Sequence, residues 1–302
     1  MKVPRVDLPP LEEPFDEAFR QLLPVLISTK RRLDGGRVER LRARRAVLSQ
    51  SGTFVGHRRY ERGDDLRHLD WAAYARTGEL FTKQLEEDDR RAVTVAVDLS
   101  ASMLAGSPQR RTGALRLAAV IGGLALARLD GVCLVTPGAS APSQRFVGVA
   151  QLPALLEHLR ALPVADTDPG AVGALVLSSE SVGRAHWISD FAPPREFEPP
   201  LRALRRRGAK VSGWIPVVPE DEAPPSGGYL RVVDPESGRS LSVPVDRGLH
   251  VELRRQLALL ERQQRQMFAE VGSPLLRWPF AARGLDEPDL LDHLPIVAAC
   301  AR

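Results

Sequence analysis

The alternation of apolar and polar positions is organised around Val93-Thr-Val-Ala-Val97, a short β-branched run that leads directly into Asp98-Leu-Ser-Ala-Ser102-Met103. A run of this length suits a strand buried on both faces, as in a parallel sheet, although periodicity alone also admits a buried helix segment. Thr112 to Leu129 is apolar on nearly every face, which predicts a central helix packed on both sides. Gly131–Pro137 and Arg145–Val149 read as strands, and Leu152, Leu155, Leu156 and Leu159 form a helical stripe within 151–162. A helix over Pro169–Glu180, a strand over Ala185–Ser189, a helix over Pro200–Arg207 and a strand over Lys210–Val218 follow. Strands alternating with helices predict an α/β fold with a doubly wound, mostly parallel sheet.

The flanks are patterned differently. Phe15, Phe19, Leu22, Leu23 and Leu26 mark a short amphipathic helix, interrupted or kinked at Pro24. A second helix is expected from Arg37 to Leu48, and residues 52 to 89 are short mixed runs punctuated by Gly52, Gly56, Gly63 and Gly78. After a polar linker, Tyr229–Pro244 reads as a hairpin turning at Asp234-Pro-Glu-Ser-Gly238. Leu249, Leu253, Leu257, Leu260 and Met267 mark a long helix, followed by a strand over Leu275–Phe280 and a last helix from Pro288. The expected organisation is an arm and short helix over 1–36, a region of small β and turn elements over 37–90, and the α/β domain over 91–302 with the hairpin inserted at about 228–245.

Composition narrows the class. The chain has 302 residues, 43% of them hydrophobic, enough for a real core. Lysine occurs only at positions 2, 30, 83 and 210, so the basic excess of 42 over 38 acidic residues is almost all arginine, spread through helices beside glutamates. Solvated helix faces are the default for such a distribution. Cys133 and Cys300 make no disulfide framework, and neither a signal core nor a membrane-length apolar window is present. A cytoplasmic, soluble protein is expected.

Candidate chemistry gathers where strands end. Asp98, Ser100 and Ser102 follow the first strand at alternate positions, Asp190 ends a later strand in the same way, and Thr167 precedes a helix. Each has an ordinary reading, a helix cap for Thr167 or a turn carboxylate for Asp190. Together they place five hydroxyl and carboxylate groups on the rim where open α/β sheets bind ligands. Hard oxygen donors suit Mg²⁺, with Mn²⁺ and Ca²⁺ as the other candidates, and a set with so few carboxylates leaves room for an external ligand. A second cluster, Arg59-Tyr60, Gly63-Asp64-Asp65, Arg67, Asp70-Trp71 and Arg76, reads as a turn pinned by Asp-to-backbone bonds and Arg–carboxylate pairs. His57 and His68 lack companions at metal-ligand spacing and read as structural hydrogen-bonders.

Asp98-x-Ser100-x-Ser102 with Thr167 and Asp190 resembles the metal-ion-dependent adhesion site of von Willebrand factor A domains. Arg59-Tyr60, Gly63-Asp64-Asp65-x-Arg67-x-x-Asp70-Trp71 and Ala75-Arg76 resemble the signature of the bacterial family called domain of unknown function 58, which carries such a domain, and the Asp234–Gly238 hairpin also fits. The resemblance implies a Rossmann-like von Willebrand factor A fold over roughly residues 37–300, holding Mg²⁺. It further implies that both serines and one of Thr167 or Asp190 bind the ion directly, that the other groups act through water, and that a partner's acidic side chain completes the coordination. Proteins of this family are often encoded beside MoxR-type AAA+ ATPases, so such an ATPase is the implied partner.

A non-enzymatic interaction module is therefore expected. The five groups include no His, Cys or Lys to act as a near-neutral base or activated nucleophile, and Ser100 lacks the Gly-x-Ser-x-Gly elbow. The alternatives are a metal-dependent nuclease or phosphatase using Asp64, Asp65, Asp70 and Asp98, which calls for two ions about 4 Å apart, and nucleic-acid binding through the arginines, which calls for steep salt dependence.

Overall fold

A computed structural model of the protein describes residues 13–33, 53–61, 69–86, 92–104, 109–128, 130–136, 142–162, 168–178, 183–218, 227–233 and 239–279. In chain order its elements are α1 (Glu17–Leu33), β1 (Thr53–Arg59), α2 (Trp71–Thr77), β2 (Phe81–Glu86), β3 (Ala92–Val97), α3 (Ala101–Leu104), α4 (Gln109–Ala127), β4 (Gly131–Val135), β5 (Phe146–Val147), α5 (Leu152–Arg160), α6 (Pro169–Ser178), β6 (Arg184–Ile188), α7 (Pro194–Arg206), β7 (Lys210–Val217), β8 (Tyr229–Val233), β9 (Ser240–Pro244), α8 (Arg247–Glu270) and β10 (Leu275–Pro279). The expected helix over 37–48, the hairpin turn at 234–238 and the helix from Pro288 lie outside the described residues. The chain divides into one unit of residues 1–30 with 91–302 and another of residues 31–90.

In the larger unit six strands run in the order β10-β7-β6-β3-β4-β5. All neighbours are parallel except β4 and β5. Side chains alternate across each strand, so Val93, Val95 and Val97 face one layer with Ile188 and Trp214, while Ala96, Ala185 and Trp187 face the other. The first layer is α1, α4 and α5; the second is α6, α7 and α8. This is the doubly wound, mostly parallel α/β sheet that the alternation predicts. Because α4 is sandwiched between β3 and α1, nearly all of its residues are buried, Arg111 and Arg116 among them.

Residues 13–30 pack into the larger unit, where buried Arg116 reaches back to them: its Nε donates to the Pro14 carbonyl at 2.7 Å, its Nη2 to Asp16 Oδ2 at 2.8 Å, and its guanidinium lies 5.2 Å from the Phe19 ring centre. Phe15, Phe19, Leu23, Leu26 and Ile27 complete the contact. One expectation needs correction: α1 is not interrupted at Pro24, which lies inside it. Pro24 is exposed, so the carbonyl that loses its helix donor faces water, and burial of the opposite face outweighs the lost bond.

In the smaller unit β1 pairs antiparallel with β2, with an irregularity between Phe54 and Gly56. Asp70 caps α2, its Oδ1 accepting from the Ala72 and Ala73 N–H groups at 3.0 Å. Gly78 closes that helix at φ 70°, the left-handed position that glycine tolerates best. Among the described residues, no helix is long and apolar enough to cross a membrane.

Candidate metal-binding site

The strand order reverses between β3 and β6, because the chain leaves β3 for β4 on one side and later enters β6 on the other. Ligand crevices form at such points. The register pairs Val97 with Ile188, and the Asp98 N–H continues the ladder by donating to the Ile188 carbonyl at 2.8 Å. The next residues on the two strands, Asp98 and Ser189, therefore emerge side by side.

Asp98 is 2% exposed. Its Oδ1 accepts from the Ser100 N–H at 2.9 Å and its Oδ2 from the Ser189 hydroxyl at 2.7 Å. Both bonds orient the Asp98 carboxylate. Ser100 Oγ lies 2.9 Å from Ser102 Oγ, and Ser102 hydrogen-bonds in turn to the Asp190 carboxylate. The structure thus gathers Asp98, Ser100, Ser102 and Asp190 into one connected group. Thr167 lies outside the described residues.

Asp190 carries the electrostatic mark of the site. Burial pushes its carboxyl up to about 6, and the nearby Asp98 charge acts in the same direction. The Ala192 N–H, which donates to Oδ1 at 3.1 Å, together with Ser102 and Arg110, offsets part of this. Arg110 also donates from Nη1 to the Ser102 carbonyl at 3.4 Å.

Three contributors escape the sequence reading: Ser189, Arg110 and Gln264. Ser189 is fully buried, and its hydroxyl accepts from the Phe191 N–H at 3.1 Å while donating to Asp98. Nothing local in the sequence marks it; the parallel register sets it beside Asp98. Gln264 is a polar residue inside the apolar stripe of Leu260, Met267 and Phe268, and its Nε2 donates to the Asp190 carbonyl at 2.7 Å.

The second cluster belongs to the smaller unit. Asp70 Oδ2 lies 2.7 Å from His57 Nε2, and Arg76 is exposed. Helix capping takes one oxygen of Asp70 and a histidine from β1 takes the other. Arg59 Nη2 donates to both carboxylate oxygens of Glu79 at 2.8 Å, and the Tyr60 N–H donates to the Leu80 carbonyl at 3.0 Å. Trp71 is 64% exposed and meets Tyr74 edge-on. Gly63, Asp64, Asp65, Arg67 and His68 lie outside the described residues.

The donor set fits a small hard cation. Ligands in an octahedral Mg²⁺ shell, at about 2.0–2.1 Å from the ion, stand about 2.9 Å from their neighbours, and the two serine hydroxyls are 2.9 Å apart. Among the described residues no group of three or more His, Cys, Asp or Glu is placed to hold a metal. Two like-charged carboxylates side by side are also an arrangement that a divalent cation relieves.

Comparison with known proteins places the chain. Residues 56–267 match the family model described as "Protein of unknown function DUF58". The chain belongs to this family. Over 234 residues the DUF58 chain is 28% identical to uncharacterized proteins of Mycobacterium tuberculosis and Mycobacterium bovis, a match covering 72% of this chain and 72% of each relative. Among solved structures it is similar to the conserved hypothetical protein BatB of Bacteroides thetaiotaomicron, with TM-score 0.40 and 17% identity over 70% of this chain and 98% of that one. An aerotolerance-related membrane protein of Bacteroides fragilis matches with TM-score 0.40 and 13% identity over 69% and 96%. Proximal thread matrix protein 1 of the mussel byssus, in a form with a zinc-occupied metal-ion-dependent adhesion motif, matches with TM-score 0.38 and 11% identity over 69% and 45%.

Proposed function

We propose that this DUF58 protein is a non-enzymatic, Mg²⁺-dependent protein–protein interaction module. Asp98, Ser100, Ser102 and Asp190, with Thr167, hold the ion, and an acidic side chain of the partner completes its coordination. The observation that carries this reading is the pair of serine hydroxyls at 2.9 Å, between two rim carboxylates at the switch point of the sheet. When bound, the ion supplies positive charge that a partner carboxylate can meet. The chain's own residues orient and neutralise: the Ser100 N–H and Ser189 hydroxyl fix Asp98, and Ser102 bridges Ser100 to Asp190. The five groups include no His, Cys or Lys to activate a serine, which favours binding over hydrolysis.

The partner proposed is a MoxR-type AAA+ ATPase, on the strength of the signature around Arg59–Arg76. The test is binding of such an ATPase to the wild-type chain and to Asp98→Ala, Ser100→Ala and Ser102→Ala variants, all at one Mg²⁺ concentration so that the ATPase keeps its nucleotide. The proposal expects affinity to fall at least tenfold in each variant while folding is kept. Equal affinity for all four proteins would contradict it.

A further inference from the structure

Helix α8 touches the loop after β6 at two consecutive residues. Gln264 is 3% exposed, and its Nε2 bonds the Asp190 carbonyl at 2.7 Å. One turn later Phe268, 1% exposed, sets its ring centre 4.9 Å from that of Phe191. Spacing of i and i+4 puts both side chains on one face of the helix. Phe268 is itself held from below by β7, because a Cβ on Gly213 would lie 2.3 Å from the Phe268 ring.

Phe191 has φ 50°. A bulky residue is disfavoured in the left-handed region and stays there only when its surroundings over-determine it. Those surroundings are visible: the ring is fully buried and also meets Phe197 at 5.1 Å and Trp187 at 6.2 Å. The turn matters because its amides serve both carboxylates. The Phe191 N–H donates to Ser189 Oγ, which donates to Asp98, while the Ala192 N–H donates to Asp190 Oδ1. If residue 191 relaxed to negative φ, the chain beyond it would swing and carry the Ala192 N–H away from Asp190.

We infer that Gln264 and Phe268 are positioning residues: by gripping the Asp190 carbonyl and the Phe191 ring, α8 holds the left-handed turn that aims Asp98 and Asp190 at the site. A buried amide in an otherwise apolar stripe, bonded to that one carbonyl, is what such a grip requires. Its consequence for metal affinity rests on the function proposed above. The geometry of the turn does not.

The experiment uses the full chain with Gln264→Leu, which keeps the volume and removes the donor. Leu204→Ala serves as a control that opens the same core layer on α7. In metal-free protein, hydrogen exchange of the Phe191 and Ala192 amides is measured against the Asp98 amide, which is bonded in the sheet. Loss of one buried hydrogen bond speeds local opening about five- to tenfold. That acceleration is expected at Phe191 and Ala192 relative to Asp98 in Gln264→Leu, whereas Leu204→Ala should speed all three alike. The Mg²⁺ dissociation constant should rise by a similar factor in Gln264→Leu and stay unchanged in the control. Uniform exchange in Gln264→Leu would overturn the inference. Wild-type protein that takes up no Mg²⁺ would sink the proposed function, and the exchange result would still decide the positioning role. Should Gln264→Leu fail to fold, Phe268→Leu is read by the same comparison.

Discussion

Replacing Ser189 by alanine removes one oxygen from a fully buried position and breaks two bonds at once. Asp98 loses a donor at 2.7 Å and the Phe191 N–H loses its acceptor at 3.1 Å. A hydrogen bond to a charged group is worth about 1.5–3 kcal/mol, and a buried N–H left unsatisfied costs about 1–3 kcal/mol. Partial relaxation of the turn recovers some of this, so about 3 kcal/mol is the working figure. For a unit of this size that corresponds to a melting decrease of roughly 6–12 °C. Urea unfolding gives the same quantity at fixed temperature, with the slope checked for constancy. A loss below about 1 kcal/mol would refute the reasoning, because a bond pair this deeply buried cannot be replaced by water without cost.

Other outcomes follow from particular contacts. Arg116→Met should unfasten the segment around Pro14 and Asp16, lowering stability by about 1.5–3 kcal/mol and exposing α1 to proteolysis; unchanged protease resistance would contradict the docking described for residues 13–30. Gly213→Ala should cost about 1–3 kcal/mol through overpacking against Phe268 and Leu275, as urea unfolding would show. The Asp190 carboxyl, raised from 3.8 to about 6 mainly by burial and then by Asp98, binds more protons folded than unfolded between those values. Its contribution therefore falls as pH rises from about 4 to 6, by about 3 kcal/mol. Buried His186, lowered from 6.5 to about 4 by burial and then by Arg184, binds fewer protons folded, so its contribution rises with pH over nearly the same window. The two slopes oppose one another: Asp190→Asn should leave stability that climbs from pH 4 to 6.5, and His186→Phe stability that declines. Parallel pH profiles for both variants would show the assignment to be wrong.

How much of this was legible in the chain depends on how local the cause is. Val93–Val97 reads as a buried strand because five consecutive residues carry the signal, and the long helix near Leu253 reads from its own stripe. Helix α7 was foreseen only from Pro200 onward, although it starts at Pro194. Pro193, Pro194, Pro199 and Pro200 look like breakers, yet proline is at home in a first helical turn, and burial of Phe197, Leu201 and Leu204 carries the rest. Asp98, Ser100, Ser102 and Asp190 were visible as oxygen groups at strand ends, each within a few residues of an apolar run. Ser189 and Gln264 were not, because their roles depend on partners 91 and 74 residues away. Asp70 shows the same limit: its bond to His57 on β1, 13 residues away, is not signalled by anything beside it in the sequence.

The central claim is that Asp98, Ser100, Ser102 and Asp190 hold a divalent cation. Thermal melting of metal-stripped protein titrated with Mg²⁺, beside Asp98→Ala and the Ser100→Ala/Ser102→Ala double variant, tests it most directly. At about 100 times its dissociation constant a native-state ligand adds roughly 2.7 kcal/mol. A saturable rise of several degrees is expected in the wild type and none in either variant. No rise at millimolar Mg²⁺, or an equal rise in all three proteins, would contradict it.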